Sequence, residues 1–243
     1  MPAQKVITGD TDRKDFSGAL ICVEVGPDKE AFSVHERLIR NSSASFERAL
    51  KDPREQSLVR TARLRKEEPE VFKAYIHWLY RDTIPIPHHD ADDFEFDYKN
   101  DHGNFPLVKA YVLGDRLLDI NFQNAVINAI WEQYRNKDFE ADFDRWIEGN
   151  EKEKKCACTP SSVSITYAYI NTIESSPLRR LLVDILVYDG DYDCLEGDPG
   201  RFPKGFLLDL TSQLIHRIRA NKTRIPIQTT DYHIRSQSHD VQS

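Results

Sequence analysis

Alternation of apolar and polar residues near the start of the chain predicts a β-hairpin. The run LICVEV at 20–25 is apolar and rich in β-branched residues, and a second short run, AFSV at 31–34, follows the turn signal GPDKE. We therefore expect two strands joined by a tight turn. A further strand is predicted at 57–64, where SLVRTARL alternates again.

Helical periodicity begins directly after the hairpin. Ser33 followed three residues later by Glu36 is a capping-box pattern, and Ser43 is the expected N-cap of a second short helix. The strongest helix is predicted at 67–82, where Pro69 suits the first helical position. Its apolar residues recur at i, i+3, i+4 and i+7: Phe72, Tyr75, Ile76 and Leu79.

The rest of the chain reads as helices separated by polar segments. A helical hairpin is expected at 106–119 and 120–134, with Asn121 as a cap of its second helix. Helices are also predicted at 164–173, 176–190 and 206–220. In the 176–190 helix, Ser176 is the expected cap and Pro177 the first residue. The apolar face of the 206–220 helix is formed by Phe206, Leu210, Leu214 and Ile218.

Two polar segments interrupt this pattern, and one segment at each end of the sequence lies outside it. We expect an acidic loop or insertion at 82–104 and a charged loop at 136–162. Residues 1–15 are expected to be flexible, and the tail at 221–243 lacks apolar periodicity and is expected to be disordered.

Composition and charge narrow the class of function. The 243 residues are 40% apolar and 30% charged, as in a soluble globular protein, and the formal net charge is -7. Because there is no basic stripe, we expect no direct nucleic-acid binding. No apolar run approaches the roughly 18 residues of a membrane span, and the first residues lack the apolar core of a signal peptide. The four cysteines form no disulfide framework, which favours the cytoplasm or the nucleus.

His35 and its neighbouring serines raise the question of catalysis. A serine hydrolase needs a nucleophile on a strained turn, a base, an orienting acid and an oxyanion hole, and no G-x-S-x-G motif is present. The serines at 33, 42 and 43 lie where helices are predicted to begin, and serine is an ordinary cap there. We therefore interpret the stretch as structural and predict no catalytic residue.

The residue types that bind zinc occur in two polar segments. The run HHDADD at 88–93 lies near His102, and Cys156 and Cys158 form a C-x-C pair. The histidines are adjacent rather than spaced at i, i+4, so a solvated acidic loop is the expected interpretation. We predict neither a metal site nor a cofactor.

One segment favours partner binding. Phe94, Phe96 and Tyr98 recur at period two within the acidic stretch DDFEFDY, so their side chains would share a face if this stretch were extended. Such aromatic residues could anchor a partner protein or add a strand to a sheet edge. The alternative, that they fold back on their own domain, stays open.

The order of these elements, and four motifs within residues 16–135, resemble the BTB/POZ domain. FSVHERLI at 32–39 is similar to the family's F-x-V-H-K-x-x-L, and SASFERAL at 43–50 to its S-x-x-F-x-x-x-L helix. LRKEEPEVFKAYIHWLY at 64–80 and the helical pair at 107–130 continue the resemblance, which is closest to fungal members. The family-motif residues are Phe32, His35, Phe46, Phe72, Trp78, Leu79 and Tyr80.

The resemblance implies an α+β, mostly helical fold in which a small sheet is flanked by helical hairpins. It implies a BTB/POZ domain at 16–135, including the insertion at 82–104, and an α-helical extension at 136–220 like that of fungal members. It also implies a non-enzymatic adaptor that binds other proteins and forms homodimers.

The specific role stays open between several alternatives. The leading one is a substrate adaptor that binds a cullin scaffold in a ubiquitin ligase. A transcriptional regulatory or scaffold protein without its own DNA-binding module is the second, and an undetected metal-dependent enzyme is the remote one.

If the acidic aromatic segment binds a partner, its removal should affect binding and not folding. Deletion of residues 90–100 is expected to weaken the recovery of partner proteins in pull-down experiments, because the aromatic anchors are lost. The melting temperature should stay nearly unchanged. A large fall in melting temperature would show instead that these aromatic residues belong to the core.

Overall fold

The chain forms a mostly helical α+β structure with one small sheet, as predicted. The structure is a computed structural model, and it describes residues 18–51, 60–85, 104–135, 160–189, 195, 199–220 and 227–235. The chain divides into two compact units. The first unit comprises 1–83 and 116–119, and the second comprises 84–115 and 120–243. The BTB/POZ identity and its domain boundaries stay predictions.

The predicted hairpin opens the first unit. Strand β1 (Leu20–Val25) pairs antiparallel with β2 (Glu30–His35), with Val23 opposite Phe32. The turn between them needs a left-handed backbone at Gly26, whose φ is 78°. The buried residues of β1 alternate, as expected for a strand with one face toward the core: Ile21, Val23 and Val25.

A mixed sheet completes the strands of the first unit. The short helices α1 (Glu36–Ser42) and α2 (Ala44–Ala49) lead to β3 (Thr61–Leu64), which pairs parallel with β1. The strand order is therefore β2-β1-β3. A parallel return needs a long crossover, and α1 and α2 are part of it. The predicted strand is thus confirmed for its second half, and residues 57–59 lie outside the described residues.

The two serine caps predicted in the first unit have different outcomes. Ser43 does cap α2, since its hydroxyl accepts the backbone N–H of Phe46 at 3.2 Å. The capping box at Ser33 and Glu36 is wrong, because the pairing of the hairpin extends to His35 and places Ser33 inside β2, opposite Cys22. Helix α1 begins at Glu36 without a side-chain cap.

Helix α3 (Pro69–Arg81) confirms the strongest sequence prediction. Pro69 is its first residue, and Asp82 ends it in a left-handed conformation with a φ of 56°. Three of the four residues of the predicted apolar stripe are buried, Ile76 is partly buried, and two further residues widen the stripe. Its buried members are Val71, Phe72, Tyr75, Trp78 and Leu79.

All regular secondary structure in the described residues of the second unit is helical. Its helices are α4 (Asn104–Leu117, whose last two residues belong to the first unit), α5 (Ile120–Arg135), α6 (Ser162–Asn171), α7 (Pro177–Asp189) and α8 (Lys204–Arg219). Single 3₁₀ turns occur at Pro199–Arg201 and Thr229–Tyr232. The prediction of Asn121 as a cap is wrong, since α5 begins at Ile120 and Asn121 is an exposed residue of its first turn.

Helix α8 is buried along only half of its predicted face. Phe206 and Leu210 are buried, whereas Ile218 is 77% exposed and Leu214 is partly exposed. The predicted amphipathic helix is confirmed, and its apolar face is buried only in its first half. Packing in the first half involves aromatic rings, with the ring centroids of Phe206 and Tyr169 5.7 Å apart.

The expected disorder of the tail does not hold for residues 227–235. This segment contains the 3₁₀ turn at Thr229–Tyr232, and the side chain of Tyr232 is buried against the second unit. The remainder of the predicted tail, residues 221–226 and 236–243, lies outside the described residues, as do 86–103 of the predicted acidic loop. Within the described ranges, no helix is both long enough and apolar enough to span a membrane.

A close helix approach at Gly114 generates a stability prediction. A Cβ at Gly114 would lie 2.8 Å from Cγ of Gln123 and 3.0 Å from Cδ1 of Phe122. We expect Gly114→Ala to lower the free energy of unfolding by about 1–3 kcal/mol, measured by urea denaturation. Gly205→Ala is the matched control, because its Cβ would meet Tyr169 at an ordinary 3.4 Å. The control should gain about 0.5–1 kcal/mol from helix propensity, and equal effects of the two would contradict this packing.

Candidate functional site: a groove beside the edge strand

His35 joins the last residue of β2 to helix α3. Its Nδ1 lies 2.7 Å from the hydroxyl oxygen of Tyr80, and its backbone N–H donates to the same oxygen at 3.2 Å. The two rings meet edge to face, with centroids 5.8 Å apart. This geometry ties the hairpin to α3 through two residues of the predicted family motif.

The serines near His35 bond to other partners. Ser42 Oγ donates to Oδ2 of Asp119 at 2.5 Å, and Ser43 Oγ donates to the carbonyl oxygen of Leu117 at 2.6 Å. Ser33 lies in the β2 ladder. The hydrogen bonds of Ser42 and Ser43 therefore hold helix ends in place.

Asp119 is a buried acceptor that connects distant parts of the first unit. It is 1% exposed, and the same Oδ2 that accepts Ser42 also accepts the hydroxyl of Tyr75 at 2.9 Å. Burial, and then the charge of Asp119, raise the pKa of Tyr75 well above its ordinary value, so Tyr75 stays a neutral donor. This one oxygen of Asp119 therefore connects the end of α1 to the middle of α3.

A surface ion network holds α2 against α1. The guanidinium of Arg40 lies 2.6 Å from Glu47 and 2.9 Å from Glu36. The hydrogen bond from Arg40, followed by one from Lys51, lowers the pKa of Glu47 to about 2. Glu36 also receives Arg60, at 2.7 Å, which precedes β3. These bonds fix the relative placement of α1, α2 and the start of β3.

Helix α2 and strand β3 enclose a groove of about 360 Å³, which we call the β3 groove. Its floor is apolar and buried, formed by Phe46, Leu50 and Leu117, while residues of β3 form one wall. Ser43 holds this arrangement, since it caps α2 and bonds to Leu117. The lining residues are Ser45, Phe46, Ala49, Leu50, Thr61, Ala62, Arg63, Leu64 and Leu117.

The β3 groove has the chemistry of a site for an extended peptide. Strand β3 is an edge of the described sheet, so backbone groups as well as side chains border the groove. Arg63 adds a positive charge at the rim, where its exposed side chain lies 3.0 Å from Glu24. A backbone edge, an apolar floor and one cation suit a segment that adds a strand and carries acidic residues.

Sequence reasoning missed this groove because its walls are distant along the chain. Helix α2 and β3 are separated by residues 50–60, and neither carries a motif that refers to the other. The only local signal was the alternation of SLVRTARL, which predicted a strand but not its place at the edge of the sheet.

Several predicted residues lie outside the described part of the chain. These are the candidate partner-binding residues Phe94, Phe96 and Tyr98 and the weighed metal ligands His88, His89, His102, Cys156 and Cys158. Within the described ranges, no three His, Cys, Asp or Glu residues cluster in a way that could hold a metal ion.

The residues of the predicted family motif all belong to the first unit. Phe46, Phe72, Trp78 and Leu79 are buried, and Phe32 packs edge to face on Phe72 with a centroid distance of 5.3 Å. His35 and Tyr80 are partly exposed and bonded to each other. The sequence matches no known family profile and none of the curated proteins with which it was compared.

The pair of His35 and Tyr80 is expected to stabilise the fold. His35→Ala should lower the free energy of unfolding by about 1–2 kcal/mol, because a partly buried hydrogen bond and a ring contact are lost. A double-mutant cycle with Tyr80→Phe should show a coupling of about 0.5–1.5 kcal/mol. His77→Ala on α3 is the control, because the hydrogen bond between its ring and the carbonyl oxygen of Thr83 is exposed. Its expected change in the free energy of unfolding lies within about 0.5 kcal/mol. A coupling of zero would contradict the pairing.

Proposed function

We propose that this chain is a non-enzymatic BTB/POZ-type adaptor that works by binding other proteins. The observation that carries the proposal is the order and pairing of elements in the first unit. An antiparallel hairpin is followed by two short helices, a third strand parallel to the first, and a long buried helix. This is the order in which the four family-like motifs occur.

The packing of the motif residues supports the same proposal. The aromatic members do not spread over the surface: Phe72 is fully buried, and it contacts the rings of both Phe32 and Tyr75. The His35 and Tyr80 pair joins the FSVH motif of the hairpin to the WLY motif of α3. Residues that resemble the family in sequence are therefore mutual contacts.

The specific role that we propose is a substrate adaptor for a cullin-based ubiquitin ligase, with homodimerisation as a further expectation. The segment FEFD at 94–97 is the local match to the hydrophobic-x-acid motif of such adaptors. In this scheme the acidic segment contacts the cullin scaffold. The β3 groove binds an extended acidic segment of the substrate protein, for which the edge strand and Arg63 are the supporting features.

Purified components test the two contacts separately. We expect the purified chain to co-sediment with a cullin scaffold, and the triple variant Phe94→Ala, Phe96→Ala, Tyr98→Ala to lose this binding because its anchors are removed. A wild-type chain that does not bind any cullin of its native organism would contradict the ligase role.

Substrate binding is tested by a matched pair on α2. Ala49→Gln places a longer neutral side chain at the exposed mouth of the groove, whereas Ala44→Gln lies on the same helix outside it. We expect Ala49→Gln to reduce the amount of substrate protein recovered with the chain by about tenfold, with cullin binding intact. Equal recovery with both variants would contradict the groove as the substrate site.

A further inference from the structure

Residues 231–234 of the tail lie along helices α5 and α7, and a side-chain amide of α5 forms hydrogen bonds with the main chain of the tail. The side-chain amide of Asn124 donates to the carbonyl oxygen of Ile234 at 3.1 Å. The backbone N–H of Ile234 donates back to Oδ1 of Asn124 at 2.8 Å. One amide thus satisfies both backbone groups of one residue, as a neighbouring strand would. Such a contact recognises an extended chain whatever its side chain at that position.

Three further residues of the same surface contact the tail, namely Asp184, Asn128 and Arg180. The hydroxyl of Tyr232 donates to Oδ2 of Asp184 at 2.8 Å, and Nε2 of His233 lies 2.9 Å from Oδ1 of Asn128. Arg180 donates to the carbonyl oxygen of Asp231 at 3.3 Å, and its guanidinium lies 5.8 Å from the centroid of the Tyr232 ring. Tyrosine and the residue after it are therefore selected by hydrogen bonds to their side chains.

The four residues that contact the tail form one pair on each of two helices. Asn124 and Asn128 are four residues apart on α5, and Arg180 and Asp184 are four residues apart on α7, so each pair shares one helix face. Both helices bury other residues in their own unit, such as Phe122 and Leu181. Both helices therefore have buried residues apart from those that contact the tail, and we call the surface that carries the four residues the α5–α7 groove.

Asp184 makes this surface selective for a hydroxyl donor. Burial raises the pKa of its carboxyl group, against the hydrogen bonds that it accepts from Tyr232 and Gln213. Gln213 donates to Oδ1 at 2.7 Å and Tyr232 to Oδ2. When Tyr232 leaves, one partly buried oxygen loses its donor, and a ligand that restores a hydroxyl at that point is favoured.

The tail is held mainly by hydrogen bonds and buries one side chain. Tyr232 is its buried side chain, at 7% exposure, while Gln228, Thr230, Asp231 and Arg235 are exposed. Most of the remaining contacts are hydrogen bonds, which water can replace when the segment leaves. A segment attached in this way can exchange with another of the same chemistry without unfolding the helices.

We propose that the α5–α7 groove is a peptide-binding site for segments that contain Tyr-His, and that the chain's own residues 231–234 occupy it as a displaceable ligand of the same molecule. This inference is independent of the adaptor proposal. A partner that presents the same pattern gains access to the groove only by competing with the tail.

The test uses the full-length chain and a fluorescent peptide with the sequence of residues 227–235, IQTTDYHIR. Tyr232→Ala in the chain releases its own tail, so this variant should bind the peptide at least about tenfold more tightly than the wild-type chain. Adding Asn124→Ala to this variant should abolish binding. Adding Asn121→Ala should not, because Asn121 is an exposed amide of the same helix with no part in the groove contacts described above. Loss of binding with both, or with neither, overturns the assignment.

Changes in the peptide test the role of Asp184. Replacing its tyrosine by phenylalanine removes the hydroxyl and should weaken binding by at least about tenfold. Phosphotyrosine should bind no better, because it brings negative charge to the carboxylate. The peptide with alanine in place of Thr230 is the matched control and should bind like the original. Tight binding of the phenylalanine or phosphotyrosine peptide would overturn the proposal.

A measurement on the wild-type chain covers the case in which a variant fails to fold. The backbone N–H of Ile234 should be protected from hydrogen exchange, and excess peptide should remove this protection while the amides of α5 and α7 stay protected. Protection that excess peptide does not change overturns the idea of a displaceable tail. Protection that depends on protein concentration overturns the assignment of the tail to its own molecule.

Discussion

The first unit depends on one buried carboxylate oxygen. Oδ2 of Asp119 accepts the hydroxyls of Ser42 and Tyr75, and so connects the end of α1 to the middle of α3. A buried acceptor of this kind stabilises only when its donors are present, since an unsatisfied one costs more than the bond contributes. Next to it, Ser43 holds the start of α2 on Leu117. The placement of α2, and with it the β3 groove, follows from these bonds.

The same stretch of chain that suggested a serine nucleophile thus supplies internal hydrogen bonds of the first unit. His35 bonds to Tyr80, and the two following serines bond to residues 117 and 119, so hairpin, helices and sheet are held in one arrangement. In the second unit, the pairs Asn124 with Asn128 and Arg180 with Asp184 hold a short segment of tail.

Local sequence patterns predicted the helices and strands, whereas the candidate binding surfaces depend on contacts between residues that are distant in the sequence. The spacing of Phe72, Tyr75 and Leu79 was sufficient for α3, because burial of one helix face leaves a period of 3.6 in the sequence. Both Ser33 and Ser43 precede a predicted helix in the sequence, so local sequence gives both the pattern of an N-cap. Only the pairing of β1 with β2 shows that Ser33 lies in a strand, whereas Ser43 caps α2. The bond of Ser42 to Asp119 spans 77 residues, and the i, i+4 spacing of the polar residues that contact the tail does not identify the tail as their partner. Neither could be predicted from the sequence alone.

The most direct test of this account is the free energy of unfolding of Asp119→Asn, measured by urea denaturation. The amide keeps the size of the side chain but removes the charged acceptor for the buried hydroxyl of Tyr75 and the partly buried hydroxyl of Ser42. We expect the free energy of unfolding to fall by about 2–4 kcal/mol, as for a buried carboxylate that accepts two hydrogen bonds. A change within about 0.5 kcal/mol would contradict the claim that this oxygen holds the first unit together.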